Sequence, residues 1–426
     1  MKFGCILISS LGFLVFLFLS ERTMAANFVE FVGWGGRCVG MGGACLALSG
    51  DASSMITNPA GIAEYDGKKL DFGMGVVLPW TEFKNPANPG GTSNKDSATN
   101  PNIAPDPLFS YFQDVKDSPF SLGLGFYCIG GAGSDYTWFS TDFDSYRDVG
   151  SAMGMFKFTP TVAYRVSGRL SIGISPNIYY MSMKKLKSTI GPVAIDMKDA
   201  DAWGWGIALG ILYRFNDELS VGFSYTSQSY MGDLESNDTT TVELAPSLGG
   251  KTFEYNKTEV VNFGHPQKFG VGIAYQLFPR LLVAADVKRL NYSETWDVVT
   301  IRVSDGNGPD QSFSLPFDLD DQMIYSVGLE FKATNRLALR CGYTYGSDIV
   351  APDAIFPPVP ITDAGHNLAL GFGYLWDSWG LDFGWVHNFR GTTRSGVSKY
   401  APEFDNSELV YEDNYFGLTL SYRFNS

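Results

Sequence analysis

Hydrophobic residues recur at every second position through most of this chain, and few folds can accept that pattern. Phe120, Leu122, Leu124, Phe126 and Cys128 alternate with Ser121, Gly123, Gly125 and Tyr127. Trp205, Ile207, Leu209, Ile211 and Tyr213 alternate with Gly206, Ala208, Gly210 and Leu212. Leu170–Ile174, Phe269–Tyr275 and Phe416–Phe424 repeat the theme. Period two describes a strand with one apolar face. Glycine normally weakens a strand interior; here it falls mostly on the second face, where small side chains leave room for something inside. Fourteen such segments are expected, roughly at 68–79, 108–115, 119–130, 153–167, 169–187, 200–215, 218–231, 257–277, 280–302, 315–332, 336–346, 365–376, 380–390 and 411–424. Pro266 predicts a bend within one of them.

The connections alternate in length. Short turns such as Ser167-Gly168, Asn216-Asp217 and Phe278-Pro279 separate long loops at 80–107, 131–152, 188–199, 232–256, 303–314, 347–364 and 391–410. A soluble sandwich has no reason for that regularity, whereas membrane barrels have short periplasmic turns and long external loops. The expected fold is all-β: a 14-stranded antiparallel transmembrane β-barrel. After residue 20 no apolar run reaches the roughly 18 residues of a membrane-spanning helix. Charged residues are only 18% of the chain, against about 25% in an ordinary soluble domain. The formal charge of −14 excludes a nucleic-acid partner, which needs a basic surface.

Face chemistry agrees with a barrel. A cation facing lipid at mid-membrane costs about 2–4 kcal/mol. The strand charges Asp71, Lys157, Arg165, Arg214, Asp286, Lys288, Glu330, Arg340, Asp382 and Arg423 mostly have the opposite, luminal parity. Tyr164, Tyr213, Tyr275, Trp376 and Tyr422 fall near the periplasmic strand ends, where an aromatic girdle belongs. Cys128 and Cys341 have lipid-facing parity and read as small hydrophobes. Cys38 and Cys45 are close enough to pair; the sequence leaves that pairing open.

Residues 1–25 read as a secretory signal peptide. Lys2 precedes an apolar run from Ile6 to Leu19, and Thr23-Met24-Ala25 offers small residues at a cleavage site. Residues 26–66 belong neither to the signal nor to the barrel, which takes 67–426. This stretch holds Gly33-Trp-Gly-Gly-Arg-Cys-Val-Gly-Met-Gly-Gly-Ala44 and then Asp51-Ala-Ser with Asn58-Pro-Ala-Gly61. It reads as a compact plug. Its glycines permit close backbone approach, Asp51 is placed to cap a short helix over Ala52–Met55, and Asn58-Pro59 is placed to end it.

At these residues the chain resembles a family. The phrase Gly40-Met-Gly-Gly-Ala44 through Asp51 and Asn58, Pro59, Ala60 and Gly61 is similar to the N-terminal hatch of the FadL/TodX outer-membrane transporters. Pro266-Gln-Lys-Phe-Gly-Val-Gly and Tyr213-Arg-Phe-Asn-Asp-Glu-Leu-Ser-Val-Gly extend the likeness. It implies a fourteen-stranded barrel with a small N-terminal hatch plugging the lumen. It further implies passive uptake of hydrophobic compounds, long-chain fatty acids or aromatic and alkane hydrocarbons. They would be captured at outer loops, passed to a pocket beside the hatch and released through the barrel wall. A general diffusion porin is the alternative. Relatives often show an acidic pair where this chain has Asp51 alone.

Candidate ligand contacts follow from surfaces, since no motif marks them. Loop 131–152 carries Tyr136, Trp138, Phe139, Phe143 and Tyr146, and the next strand opens on Met153, Met155 and Phe156. So many aromatics in a water-exposed segment are unusual. Either the loop is a greasy capture site or it folds over the barrel mouth and packs on its neighbours. By the resemblance, Phe28, Phe31 and Trp34 reach into the inner pocket; otherwise they pack within the barrel. Lys157, Arg165 and Arg340 are candidates to meet a carboxylate. A bend at Gly130-Gly131-Ala132-Gly133 is a candidate wall opening. His265, His366 and His387 are isolated, with no nucleophile or CxxC nearby, so neither an enzyme nor a metal or cofactor site is expected. The expected partners are a hydrophobic small molecule, outer-membrane lipid and glycolipid, and the barrel-assembly machinery, for a monomer in the bacterial outer membrane.

Overall fold

The computed structural model describes residues 30–424 apart from 87, 94–103, 140–142, 144–146, 237 and 363–364. Among these residues fourteen antiparallel strands close into a barrel. They are β1 Lys68–Asn85, β2 Ala104–Asp114, β3 Phe120–Phe139, β4 Arg147–Arg165, β5 Leu170–Ile190, β6 Val193–Arg214 and β7 Leu219–Thr226, then β8 Gln267–Phe278, β9 Leu281–Asn291, β10 Gln322–Lys332, β11 Leu337–Gly346, β12 His366–Trp376, β13 Trp379–Arg394 and β14 Glu408–Phe424. Closure is made by β14 on β1, from Lys68↔Phe424 to Lys84↔Glu408. A closed sheet leaves no edge exposed to hydrocarbon.

The expected alternation is realised. On β6, Trp203, Trp205, Leu209, Ile211 and Tyr213 stand outward and exposed, while Ala202, Ala208 and Leu212 are buried. Trp203 and Tyr213 are ten residues apart on that strand. That is about 33 Å of strand, or about 25 Å of height at a tilt of about 40°, the span of an outer-membrane apolar belt. At the short-turn end the girdle forms as expected. Phe120 lies on Tyr164, Tyr213 on Phe215, Tyr374 on Trp376 and Trp379 on Tyr422, with ring centroids 4.8, 4.8, 6.0 and 4.7 Å apart. At the other end Tyr180, Trp203, Trp205 and Tyr230 form a second band.

Several expectations need correction. Segment 257–277 is two strands: Thr252–Val261 lies outside the barrel, and β8 starts after Pro266. Segments 280–302 and 315–332 split in the same way, leaving Val298–Gly306 and Gln311–Pro316 outside. These pieces pair with one another, and Leu234–Ser236 and Thr240–Leu244 join them to the top of β6. Alternation reports a two-faced strand but not which sheet it joins. The expected loops 232–256 and 303–314 are therefore partly an external β-ribbon. Loop 131–152 is mostly an extension of β3 and β4 above the belt. Cys341 faces outward as expected, but Cys128 is buried, because β3 bulges beside it.

Residues 30–66 lie within the ring of strands. They form α1 (Gly35–Gly40), one turn of α2 (Ser54–Thr57) and a 3-10 helix over Pro59–Glu64. The cap differs from expectation. Asp51 Oδ1 accepts from Ser53 N at 2.9 Å and from Ser53 Oγ at 2.6 Å, while Asn58 caps the 3-10 helix by accepting from Ala60 N at 3.2 Å. Close packing on the wall explains the inward glycines. A Cβ on Gly384 would lie 2.5 Å from Gly40 N, and one on Gly222 would lie 2.1 Å from Leu46 O.

Candidate ligand-binding site

On one side the N-terminal segment is pinned to the wall by charge. Arg37 meets Glu330 of β10 at 2.9 Å and Asp51 at 3.4 Å. Arg340 of β11 meets the same Glu330 and Asp382 of β13, each at 2.7 Å. Burial alone would lower the Arg37 pKa, but Glu330 and Asp51 outweigh it and raise it, so the guanidinium stays charged. On β9, Asp286 Oδ2 accepts from Cys45 N at 2.7 Å and Leu46 N at 3.0 Å, and Lys288 Nζ donates to Gly43 O at 2.9 Å. Cys38 and Cys45 form a disulfide, which settles the open pairing. At the short-turn end Arg165 bonds the Ala63 carbonyl and Asp66, and Arg214 meets Glu64 at 3.0 Å.

The opposite side is looser. The β2–β3 ladder stops at Leu108↔Tyr127, yet β3 continues to Phe139 on β4. The stretch of β2 that pairs with β1 but not with β3 contains Pro105 and Pro107, which have no N–H to give. On β3 the register slips between Cys128↔Phe156 and Gly130↔Met155, leaving Ile129 as the extra residue of a bulge. Gly130, Gly131, Ala132 and Gly133 follow, with little or no side chain. A cavity of about 370 Å³ opens there. Its wall is mostly apolar: Phe31, Val32, Val77, Pro105, Met153, Phe156 and Ile361. That volume lies within the usual range of small-molecule sites, about 300–1,000 Å³.

The first described residues close its inner side. Glu30 makes a backbone bridge to Gly130, and its carboxylate takes Lys268 Nζ at 2.9 and 3.1 Å. Trp34 Nε1 donates to Cys128 O at 2.9 Å, and Lys268 Nζ sits 5.2 Å from the Trp34 ring centroid. Phe31 stacks on Tyr415 at 5.3 Å. His265 Nε2 is 3.7 Å from Glu30. Burial drives the His265 pKa down to about 4, against the pull of Glu30, so the ring is neutral near pH 7. Burial alone would raise the Glu30 pKa; Lys268, His265 and Lys288 outweigh it and hold it below the ordinary value.

The sequence-derived candidates scatter around this geometry. Phe31 and Phe156 line the cavity; Trp34 braces its edge. Lys157 is buried near Lys268 and Glu30 but does not line the cavity. Arg340 is occupied by two carboxylates, and Arg165 sits at the short-turn end, remote from the opening. Tyr136 is buried in a cluster with Phe83, Val149, Ile355, Phe404 and Leu409, and Phe143 is exposed. Trp138 and Phe139 lie on β3; Phe28 and Tyr146 fall outside the described residues. Asn388, Tyr411, Asp413 and Tyr415 of β13 and β14 also line the cavity, and reading the sequence missed them. The prolines 105 and 107 were a usable signal for the unpaired edge.

An aromatic-belted closed barrel with a mostly apolar cavity beside an interrupted strand ladder defines a membrane β-barrel. Residues 17–424 match the family described as outer membrane protein transport protein (OMPP1/FadL/TodX). The chain belongs to that family and resides in the outer membrane. It is 23% identical to outer membrane protein P1 of Haemophilus influenzae over 288 residues, which is 58% of this chain and 59% of that protein. It thus spans about three fifths of the length of the curated relatives it matches. Its fold is similar to the P. putida toluene transporter TodX, with TM-score 0.79, 20% identity, and 93% of this chain and 100% of that one covered. The Ralstonia pickettii toluene transporter TbuX gives 0.75 at 20% identity over 94% and 100%. A Pseudomonas aeruginosa FadL homologue gives 0.74 at 14% identity over 94% and 100%. At such identities the likeness is one of fold.

Proposed function

We propose that the protein takes hydrophobic compounds into the outer membrane passively. The compound is gathered at the outer loops, settles in the cavity beside Phe31 and leaves through the wall between β2 and β3. Residues 30–66 act as the hatch that keeps the lumen from becoming an open aqueous channel. One observation carries this reading: the mainly apolar cavity of about 370 Å³ lies where the β2–β3 ladder is interrupted. Opening a ladder elsewhere would leave backbone groups unpaired in hydrocarbon, at several kcal/mol each. Here the prolines remove donors, and Glu30 supplies a bridge to Gly130. Family membership and the likeness in fold to the toluene transporters TodX and TbuX support the same reading. A general diffusion porin is less well supported, because the N-terminal segment is packed against the wall at many points.

Deleting Ile129 tests the exit. The deletion removes the bulge of β3 against β4 and so re-aims the stretch of β3 that leaves β2. Uptake of a labelled hydrophobe by cells should fall at least about tenfold, the equivalent of about 1.4 kcal/mol on the barrier, while binding to the purified barrel persists. Unchanged uptake would refute a wall exit at this place.

A further inference from the structure

We propose that the cavity selects hydrophobic molecules that carry a hydroxyl donor, such as alkylphenols or long-chain alcohols, over both plain hydrocarbons and carboxylates. This rests on the reading of the cavity as the ligand site and goes on to name the ligand's chemistry. Asn388 and Asp413 face one another in register across β13 and β14, and both line the cavity. They are 6% and 5% exposed. Tyr411 Oη donates to Asp413 Oδ2 at 2.8 Å. The Asn388 side chain lies within hydrogen-bonding reach of the Asp413 carboxylate, yet Asp413 Oδ1 and Asn388 Oδ1 are left without a well-formed hydrogen bond among the described residues. Both are acceptors. A buried acceptor left unmatched costs free energy, and a guest that brings an O–H recovers it, displacing any water that served the same atoms.

The charge pattern acts in the same direction. Among the described lining residues there is no lysine or arginine. Lys268 is held by Glu30, and the buried Lys157 does not line the cavity. A guest carboxylate would therefore face the Asp413 carboxylate with no cation beside it, and like charges repel strongly in a low-dielectric site. A plain hydrocarbon fills the apolar wall but leaves both acceptors unmatched. Tyr415, the other hydroxyl on this face, donates to Asp106 and offers the guest no proton. A hydroxylated hydrophobe meets both demands: its ring or chain lies against Phe31, Phe156 and Met153, and its hydroxyl reaches the Asn388–Asp413 pair.

The test uses the full-length protein in lipid nanodiscs, titrated calorimetrically with toluene, p-cresol and 4-methylbenzoate, with empty nanodiscs as the partition blank. p-Cresol should bind about tenfold tighter than toluene, as one hydrogen bond to an ionised or buried acceptor implies. 4-Methylbenzoate should bind at least about tenfold weaker than p-cresol. Asn388→Leu should bring the p-cresol-to-toluene ratio toward one. The isosteric Asp413→Asn should narrow the gap between p-cresol and 4-methylbenzoate. Equal binding of p-cresol and toluene, or of p-cresol and 4-methylbenzoate, overturns this inference and leaves the cavity as a ligand site. Binding of none of the three overturns the inference together with the function it rests on.

Discussion

The two sides of the lumen are built from different materials. Toward β10–β13 the N-terminal segment is clamped: Arg37, Glu330, Arg340 and Asp382 form one chain of ion pairs. Backbones there approach so closely that a Cβ on Gly36 would lie 2.1 Å from Asp382 O. Toward the outer halves of β3 and β4 the same segment touches the wall through the Glu30 backbone bridge to Gly130 and the Trp34 bond to Cys128 O, and a cavity remains; only lower down do Tyr127 Oη and Arg165 hold it, at the Ala52 and Ala63 carbonyls. The difference teaches how a barrel can hold an internal segment and still keep free volume: the segment is fastened by ion pairs on one side, and the cavity lies where the strand ladder is already broken.

The comparison breaks most visibly if the plug is removed. Deleting residues 27–60 should add clear ion conductance in planar bilayers; a deletion variant as silent as the parent would defeat the plug. Next in size is the clamp. Glu330→Leu leaves Arg37 without its closest carboxylate and takes one of two from Arg340, a loss of roughly 3–5 kcal/mol by analogy with other buried pairs. Thermal unfolding of the barrel should move down accordingly, and a variant that melts with the parent would show that the clamp is not carrying the segment.

Acid should loosen the other side. The unfolded chain protonates His265 near pH 6.5 and the folded one only near 4. The unfolded state therefore binds more protons in between, and stability falls by about 3 kcal/mol as pH drops across that window. Glu30 has the same sign: its lowered pKa stabilises the fold above the ordinary carboxylate value, and that contribution disappears as pH falls through the lowered one. Melting temperatures at pH 7 and pH 4.5 should separate less in His265→Gln than in the parent. The smallest effect concerns the outer loops. Trp138→Ala should weaken capture of a fluorescent hydrophobe a few-fold, about 1 kcal/mol for one aromatic contact, with the barrel still folded; unaltered capture would confine binding to the cavity.

Much of the barrel was legible because its physics is local. Lipid on one side and a packed lumen on the other force alternation within each strand, so Leu209 outward and Ala208 inward can be read without any neighbour. The girdle residues Tyr213 and Tyr422 follow from counting to the strand ends. The luminal parity of Glu330 and Arg340 was legible too, but not that they answer Arg37, which lies 293 residues before Glu330. The site was legible in part. Gly130–Gly133, Phe31 and Phe156 were named and line the cavity, whereas Asn388 and Asp413 were not, since nothing in their local pattern separates them from any polar strand residue.

What the sequence by itself determined, then, is the strand period, the faces and the alternation of turn and loop. All are set by contacts with solvent or lipid, which every residue meets alone. The tertiary structure alone decided which alternating segments joined the barrel and which became the outer ribbon. It also decided how the N-terminal segment was fastened, and which acceptors were left facing the cavity. Those outcomes depend on pairing between residues far apart in the chain. Pairing is settled by closure of the sheet and by where a bulge at Ile129 and two prolines interrupt it.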